Sequence, residues 1–183
     1  MVFSFFKQIV EGMCKLQEHE IIHRDIKPEN ILLDETQKVI KIADFGQAVE
    51  YSLMKTLDQG TPLYMAPEVL NPTRSKSLRD KRIDVWSVGL VLCEMLLGKN
   101  IFEDDIKLNN IVDASTFREY IEKRKIIGFE KPIFPEEFEL FWTDIRKSML
   151  EYNIEDRIYF HSLMLKLIVY EKDIEQKYQE DGD

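Results

Sequence analysis

Residues 84–98, with the sequence DVWSVGLVLCEMLLG, constrain the fold more than any other stretch, because they are apolar on nearly all sides of a helix. A helix without a polar face must be enclosed by other parts of the chain. Gly98 follows the last apolar residue and suits the left-handed conformation that ends many helices. The chain has 183 residues, of which 44% are hydrophobic, so one domain can supply the enclosing layer. We therefore predict a single domain built around this central helix.

Helical patterns also mark the first residues and the last third of the chain. Apolar residues at helical spacing predict an amphipathic helix over about residues 2–18. Two further helices are predicted over residues 138–152 and 157–178, and a polar tail from Glu171 is expected to run into solvent. The stripe of the first helix consists of Phe3, Phe6, Ile9, Val10, Met13 and Leu16.

Strand patterns are short and confined to one region. The segments ILL (31–33) and VIKIA (39–43) predict two strands of a hairpin, although no glycine marks the turn between them. Most of residues 44–68 is predicted to be loop, and residues 99–135 are weakly patterned. The expected fold class is therefore mainly α with one short β-hairpin.

Composition and charge exclude several classes of function. The net charge of −9 argues against binding to nucleic acid or to an anionic membrane surface, because either needs a basic surface. No uninterrupted apolar run approaches the ~18 residues of a membrane-spanning helix. Cys14 and Cys93 lie inside apolar helical patterns, which predicts buried, reduced thiols rather than a disulfide or a metal site. Without a recognised targeting segment, the expected location is the cytoplasm.

A polar stretch separates two apolar runs in IIHRDIKPENILL, residues 21–33. Pro28 disfavours helix for the residue before it and removes a backbone donor, so this stretch is predicted to be a loop. In such a loop the side chains of Asp25, Lys27 and Asn30 can converge on one point. Asp44 follows Asn30 by 14 residues, enough for a hairpin to return the chain beside the loop. This combination suits phosphoryl transfer, which needs a positioned acceptor, a base and cations near the phosphate oxygens.

Four segments in a fixed order carry a family resemblance: HRDIKPEN (23–30), DFG (44–46), GTPLYMAPE (60–68) and DVWSVG (84–89). As an ordered set they resemble the catalytic domain of eukaryotic protein kinases of the serine/threonine type. The resemblance implies the large, C-terminal lobe of that domain, which is helical with a short β-hairpin beside the catalytic loop and belongs to an α+β family. It also implies transfer of the γ-phosphate of ATP, with Mg²⁺, to serine or threonine of a protein substrate.

The resemblance implies a division of the chain and a role for each motif residue. The lobe would cover residues 1–170, with the match strong over 1–98, weak over 99–135 and intermediate over 136–170, and residues 171–183 would form a polar helix end or tail. Asp25 would orient the substrate hydroxyl as the base, Lys27 would contact the transferred phosphate, and Asn30 and Asp44 would bind magnesium through oxygen atoms. Phe45 and Gly46 complete the DFG motif.

The remaining motif residues have supporting roles by the same resemblance. His23 is expected to pack under the loop, and Arg24 to receive a phosphate on the segment before Gly60. That phosphate would be on Thr56, because the position that is usually phosphorylated in the family is Leu57 here. Alternatively, activation does not depend on a phosphate, or the protein is not activated at all. Thr61 would tie Lys27 to Asp25, and Asp84 would cap the central helix, hold the catalytic loop, or do both. Glu68 would form a buried ion pair with Arg157.

Three features depart from the family pattern or extend it. The seven glycines include no two that lie two residues apart, so the chain has no G-x-G-x-x-G loop, and only 24 residues precede Asp25. We therefore expect a fragment that lacks the small lobe and its ATP-anchoring lysine. By the resemblance, the carboxylate of Glu29 would bind an arginine that lies upstream of the target serine in the substrate. A basic cluster before the central helix is interpreted as a solvated loop or, alternatively, as a docking site for an acidic partner; it comprises Arg74, Lys76, Arg79, Lys81 and Arg82.

Three interpretations remain open at this level. The chain is the large lobe of a serine/threonine protein kinase, or it is a catalytically inactive kinase-like module that binds a substrate or partner. The third interpretation is that the chain forms no stable independent protein, because the surface facing the small lobe would expose an apolar patch. The intact set of Asp25, Lys27, Asn30 and Asp44 favours the first, with at most trace activity for these 183 residues. The sequence does not indicate an oligomeric state.

Overall fold

A computed structural model describes residues 1–54, 60–70, 80–108, 111, 113–127 and 136–180. Besides short 3-10 turns, the described ranges contain seven α-helices: α1 (Val2–Glu18), α2 (Pro67–Leu70), α3 (Ile83–Leu97), α4 (Glu103–Leu108), α5 (Ala114–Ile127), α6 (Glu136–Met149) and α7 (Phe160–Glu180). Four strands are present in the same ranges: β1 (Ile21–Ile22), β2 (Ile31–Leu33), β3 (Ile40–Ile42) and β4 (Val49–Glu50). The mainly helical architecture with a small sheet confirms the predicted fold class.

Helix α3 is the buried helix that the sequence predicts. Every residue from Ile83 to Cys93 is buried, and the helix ends at Gly98, which adopts φ +73° and donates its N–H to the carbonyl of Glu94 at 2.8 Å. Helix α1 packs its apolar stripe on the same core through Phe6, Ile9, Val10 and Met13, as predicted. Helices α1 and α6 therefore pack directly on α3, and α7 packs on α1.

Helix α7 differs from its predicted bounds mainly at its start. It begins at Phe160 rather than at residue 157, because Arg157 adopts an extended conformation and the Ile158 N–H donates to the carbonyl of Ser148 at 3.0 Å. At the other end the helix continues unbroken past residue 170. Glu171 is partly exposed, and its carboxylate is 2.5 Å from the Lys7 ammonium of α1. Lys172 and Asp173 are exposed. Where the structure describes their exposure, the residues after Glu171 face solvent as expected, while Glu171 itself also pairs with α1.

The predicted hairpin is present, formed by β2 and β3. Ile31 lies opposite Ile42, and the Ala43 N–H donates to the carbonyl of Asn30 at 2.9 Å just beyond the paired residues. The turn contains no glycine. The Asp34 carboxylate stabilises it by accepting hydrogen bonds from the Thr36 hydroxyl at 2.8 Å and from the backbone N–H groups of Lys38 and Val39. The hairpin therefore returns the chain beside residue 30.

Strand β4 lies in the stretch that was predicted to be loop. It pairs antiparallel with β1, so that Ile21 lies opposite Glu50 and Ile22 opposite Val49. Each strand has only two residues, which is too short for an alternating pattern to be visible in the sequence. The pairing holds residues 49–50 against the chain just before the loop of residues 23–30.

The core includes both cysteines as free, buried thiols, as predicted. Burial raises the pKa of the Cys14 thiol to about 11 and that of Cys93 to about 12, so both are protonated at neutral pH. Within the described ranges, no helix combines the length and apolar character that crossing a membrane requires.

Candidate active site

The side chain of Asp84, in α3, anchors the loop between β1 and β2. Its two carboxylate oxygens accept the backbone N–H groups of His23 at 2.7 Å and Arg24 at 2.9 Å. Asp84 is the second residue of α3, and the N-cap residue is Arg82, so Asp84 is not the helix cap. Burial raises the pKa of Asp84, while the two backbone N–H groups oppose that rise. The carboxylate holds the loop where Arg24 adopts the left-handed φ of +67°.

His23 connects the loop to the DFG segment. Its side chain is fully buried, its Nε2 lies 3.0 Å from the carbonyl oxygen of Ala43, and its ring centroid is 5.0 Å from that of Phe45. Arg24 makes a second connection, because its Nε donates to the backbone carbonyl of Gln47. The segment that carries Asp44 is therefore attached to the loop that carries Asp25.

Four of the predicted site residues meet at the carboxylate of Asp25. Its Oδ1 accepts the backbone N–H and the hydroxyl of Thr61, at 2.9 and 2.8 Å. Its Oδ2 lies 2.9 Å from the Lys27 ammonium and accepts from Asn30 Nδ2 at 3.2 Å. The Lys27 ammonium also donates to the Thr61 hydroxyl at 2.8 Å. Asp25, Lys27, Asn30 and Thr61 thus form one hydrogen-bonded cluster.

Gly60 explains how Thr61 reaches this cluster. It adopts φ +114°, and a β-carbon at this position would lie 2.4 Å from the carbonyl oxygen of Arg24. Only glycine allows so close an approach in this conformation. The backbone of residue 61 can therefore donate directly to Asp25.

The pKa of Asp25 reflects two opposing effects. Burial raises the pKa of this carboxyl, but the hydrogen bonds from Lys27 and Thr61 and the Lys27 charge outweigh burial and hold the pKa below its usual value. Asp25 is therefore an ionised acceptor at neutral pH. A substrate hydroxyl beside it would find a carboxylate rather than a carboxylic acid.

Asp44 stands at the end of the hairpin in a left-handed conformation, with φ 60° and ψ 73°. Its Oδ1 accepts the backbone N–H of Gly46 at 3.2 Å, and the side chain is exposed. Ala43, the residue before it, is bonded on both sides: its N–H donates to Asn30 and its carbonyl faces His23. These bonds hold the backbone before Asp44 next to the loop of residues 23–30.

The side-chain oxygens of Asn30 and Asp44 could ligate a magnesium ion. Asn30 donates through Nδ2 to the backbone carbonyl of Asp25 at 2.8 Å, which leaves its amide oxygen as a ligand. Together with the exposed Asp44 carboxylate this gives two oxygen donors, as Mg²⁺ prefers. In the described part of the chain, no group of three or more His, Cys, Asp or Glu side chains could hold a metal ion. Mg²⁺ here would keep water or phosphate oxygens as its other ligands.

Comparison with known proteins agrees with this geometry. The model of the protein kinase domain family matches residues 2–167. The chain belongs to the protein kinase family. It is 34% identical over 163 residues, 86% of this chain, to rhodopsin kinase grk7a of Danio rerio, and covers 27% of that protein.

Two fungal relatives match shorter stretches of this kinase-family chain. SNF1-like protein kinase ssp2 of Schizosaccharomyces pombe is 44% identical over 104 residues, 55% of this chain and 17% of ssp2. Serine/threonine-protein kinase ksp1 of the same yeast is 34% identical over 125 residues, 63% of this chain and 26% of ksp1. The chain therefore spans about a quarter or less of the length of these relatives.

Glu68 and Arg157 form a buried, bidentate ion pair away from the catalytic loop. The two guanidinium nitrogens of Arg157 donate to the two carboxylate oxygens of Glu68 at 2.7 and 3.0 Å. Arg157 also donates to the backbone carbonyls of Glu151 and Arg82. The pair thereby joins α2, at the end of the GTPLYMAPE segment, to the start of α3 and to the connection between α6 and α7.

Two residues of the basic cluster before α3 have partners within the protein. Arg82 is buried, pairs with Asp80 and donates to the backbone carbonyls of Glu155 and Arg157. Lys81 lies 3.1 Å from the Glu20 carboxylate. Arg82 therefore does not belong to a solvated loop, because it is buried and its partners lie within the protein. Docking of an acidic partner stays a prediction. Thr56, Leu57, Arg74, Lys76 and Arg79 lie outside the described residues.

Sequence reasoning overlooked the contacts of Tyr64, which lies in the GTPLYMAPE segment. Its hydroxyl donates to the Glu94 carboxylate at 2.7 Å, and its backbone carbonyl accepts from the Ser87 hydroxyl at 2.8 Å. Burial and the Glu94 carboxylate both raise the pKa of Tyr64. A glutamate in an otherwise apolar helix was the available signal, since such a residue needs a partner.

Proposed function

We propose that this chain forms the catalytic lobe of a serine/threonine protein kinase, which transfers the γ-phosphate of ATP to serine or threonine of a protein. The observation that carries the proposal is the cluster in which Asp25 accepts from Thr61 and Asn30 and contacts Lys27. A carboxylate held by an ammonium and a hydroxyl is suited to orient an acceptor hydroxyl. The relative named as a serine/threonine-protein kinase supports this substrate class.

Three residues of the cluster, together with Asp44, have a role in the proposed reaction. When bound, ATP with Mg²⁺ supplies the phosphoryl group and neutralises its oxygens. Asp25 would orient the serine or threonine hydroxyl and accept its proton, and Lys27 would balance negative charge beside it. Asn30 and Asp44 would hold the metal through oxygen atoms. The attacking oxygen forms a bond to the γ-phosphorus as the bond from that phosphorus to ADP breaks.

The experiment measures incorporation of labelled phosphate into a protein substrate, together with magnesium-dependent binding of ATP. Trace incorporation on serine or threonine is expected, because no glycine pair in these 183 residues can form a phosphate-covering loop. Asp25→Asn should abolish it and Asp44→Asn should reduce both incorporation and nucleotide binding. Asp144→Asn, a change at an exposed carboxylate on α6, is the control that should leave both unchanged. Incorporation that survives Asp25→Asn would contradict the proposal.

A catalytically inactive module that binds a substrate or partner is the second candidate. The observation that favours it is the spacing of the seven glycines, which excludes a G-x-G-x-x-G loop within the chain. The two proposals differ in nucleotide binding. A folded chain that binds no ATP in the presence of magnesium, yet retains a protein partner, would support the module and contradict the kinase.

Glu29 extends the proposal to substrate choice. Its side chain is exposed and stands in the catalytic loop, one residue from Asn30. We propose that its carboxylate reads an arginine upstream of the target residue. A peptide array should therefore favour upstream arginine, and Glu29→Gln should remove that preference. An array indifferent to upstream arginine would exclude this role.

The expected setting of this kinase is the cytoplasm. Two buried, free thiols suit a reducing compartment. Proteins with serine or threonine acceptors and ATP are the proposed partners, and the acidic balance of −9 disfavours nucleic acid and anionic membranes. Imaging of the tagged chain outside the cytoplasm would contradict this part.

A further inference from the structure

The outer edge of β3 carries polar backbone groups that β2 does not use. Residues 39 and 43 bond toward β2, because the carbonyl of Val39 accepts from Asp34 and the Ala43 N–H donates to Asn30. Backbone groups alternate in direction along a strand, so those of the even-numbered residues point the other way. An exposed row of such groups is an unpaired strand edge.

The side chain of Gln8, on α1, covers this edge. Its Oε1 accepts the Ile40 N–H at 2.9 Å, and its Nε2 donates to the carbonyl of Lys38 at 3.0 Å. A carboxamide carries one acceptor and donors side by side, as a residue of a neighbouring strand does. Gln8 therefore acts on the hairpin in place of a third strand.

Gly12 adds a second contact one helical turn further along α1. A β-carbon at Gly12 would lie 2.8 Å from Cδ1 of Ile42, so the helix backbone lies directly against β3. Residues four apart share a helix face, and Gln8 and Gly12 thus meet the strand at successive points. An isolated two-stranded hairpin is marginally stable, and α1 supplies the support that this one needs.

Strand β3 leads straight into Ala43 and Asp44. We propose that Gln8 is a positioning residue that sets where Asp44 stands. The metal-binding role of Asp44 rests on the proposed function, but the positional link between Gln8 and Asp44 does not. Gln8 lies 36 residues before Asp44 and in a different element, so no motif signals the connection.

The test replaces Gln8 by leucine, which keeps the size of the side chain and removes both hydrogen bonds. Two backbone amides report the result by NMR: Ile40, through its hydrogen exchange rate, and Gly46, whose N–H donates to Asp44 Oδ1. In Gln8→Leu the Ile40 amide should exchange about tenfold faster, the factor expected for one lost hydrogen bond. The Gly46 resonance should shift, because the Asp44 carboxylate moves.

Gln17→Leu is the matched control. Gln17 also lies on α1 and donates from its side chain to a backbone carbonyl, that of Lys81 at 3.1 Å, away from the hairpin. It should leave Ile40 and Gly46 unchanged. Gln8→Glu keeps the acceptor for Ile40 and loses the donor to Lys38, so Ile40 should exchange nearly as slowly as in the wild type. Gln8→Ala also removes both hydrogen bonds, so the same two amides decide the matter if Gln8→Leu does not fold.

The outcomes separate this inference from the proposed function. In a variant that lacks both Gln8 hydrogen bonds, unchanged exchange at Ile40, or faster exchange there without any shift at Gly46, would overturn the role of Gln8 in placing Asp44. Titration of magnesium in the presence of ATP adds a functional readout: the half-saturating magnesium concentration should rise about tenfold in Gln8→Leu and not in Gln17→Leu. A wild-type chain that binds no magnesium–ATP would count against the proposed function, while the two amides would still decide the role of Gln8.

Discussion

The contribution of a charged side chain to the stability of this protein depends on how far that side chain is exposed to solvent. The Arg157 side chain is 0% exposed and that of Glu68 is 9% exposed. Lys166 and Asp144 also pair, at 2.6 Å, but their side chains are 41% and 63% exposed. A buried ion that loses its partner is left uncompensated, whereas an exposed ion is taken up by solvent.

Removal of one partner should therefore have unequal effects at the two ion pairs. Glu68→Gln should lower the free energy of unfolding by about 3–5 kcal/mol, because the Arg157 guanidinium stays buried without a counter-charge. Asp144→Asn, the control at the exposed pair, should cost less than about 1 kcal/mol. Urea unfolding of the two variants measures both values, and equal losses would contradict the argument.

A single residue, Asp113, stabilises the N-terminus of helix α5. Asp113 precedes α5, and its Oδ1 accepts the N–H of Thr116 at 2.8 Å, while the Phe117 N–H donates to the Asp113 carbonyl at 3.0 Å. These bonds make Asp113 the N-cap of α5. They also lower the pKa of Asp113 to about 2, with the backbone N–H of Thr116 as the main cause and the Ser115 hydroxyl next.

The cap of α5 should make stability depend on pH in a defined window. The folded pKa of about 2 lies below the unfolded value, so stabilisation by ionised Asp113 is complete above about pH 4 and is lost as the pH falls toward 2. Asp113→Asn keeps a capping oxygen but does not titrate. The difference in melting temperature between wild type and Asp113→Asn should therefore shift in favour of the variant between pH 4 and 2. A difference independent of pH would contradict the assignment.

The crossing of α3 over the end of α6 depends on Gly89. A β-carbon at this position would lie 2.8 Å from Cδ2 of Leu150 and 3.1 Å from Cβ of Met149. Gly89→Ala should thus destabilise the protein by about 1–3 kcal/mol through overpacking. Leu150→Ala removes the nearest atom, so the double variant should lose less than the sum of the two single changes, and strict additivity in urea unfolding would exclude the clash.

At the scale of the whole molecule, one hydrophobic core joins elements from both ends of the chain. Phe6 of α1, Trp86 of α3 and Leu167 of α7 belong to the same cluster of buried side chains. The Lys7–Glu171 ion pair and the rings of Phe3 and Tyr170, 5.7 Å apart, add surface contacts between the first and last helices. No boundary between separately packed units is visible within the described ranges of the core.

A single core predicts a single cooperative unfolding transition. Trp86 is 1% exposed and should report the loss of tertiary packing through its fluorescence. The chain has two tryptophans, and Trp142→Phe leaves Trp86 as the only one. In that variant, urea unfolding followed by fluorescence and by far-UV circular dichroism should give coincident curves. Curves with different midpoints would show that parts of the molecule unfold separately.

Local pattern was enough to predict several elements of this kinase lobe. Helices α1 and α3 and the β2–β3 hairpin begin and end close to the predicted residues, because apolar periodicity and the Gly98 end signal act over a few neighbouring positions. The short pair of β1 and β4 and the late start of α7 were not predictable in this way. Both depend on distant partners, Val49 and Glu50 in one case and Ser148 in the other.

The motifs determined which residues to consider, and the fold determined how they are arranged. The sequence by itself identified Asp25, Lys27 and Asn30 as one group, since five residues and a proline keep them together. Only the tertiary structure decided that the Asp84 carboxylate binds the backbone of residues 23 and 24 rather than capping α3. Only the tertiary structure joined Gln8 to the strand that ends at Asp44. Hydrogen bonds across 32 or 60 residues depend on how elements pack, and no local pattern encodes that packing.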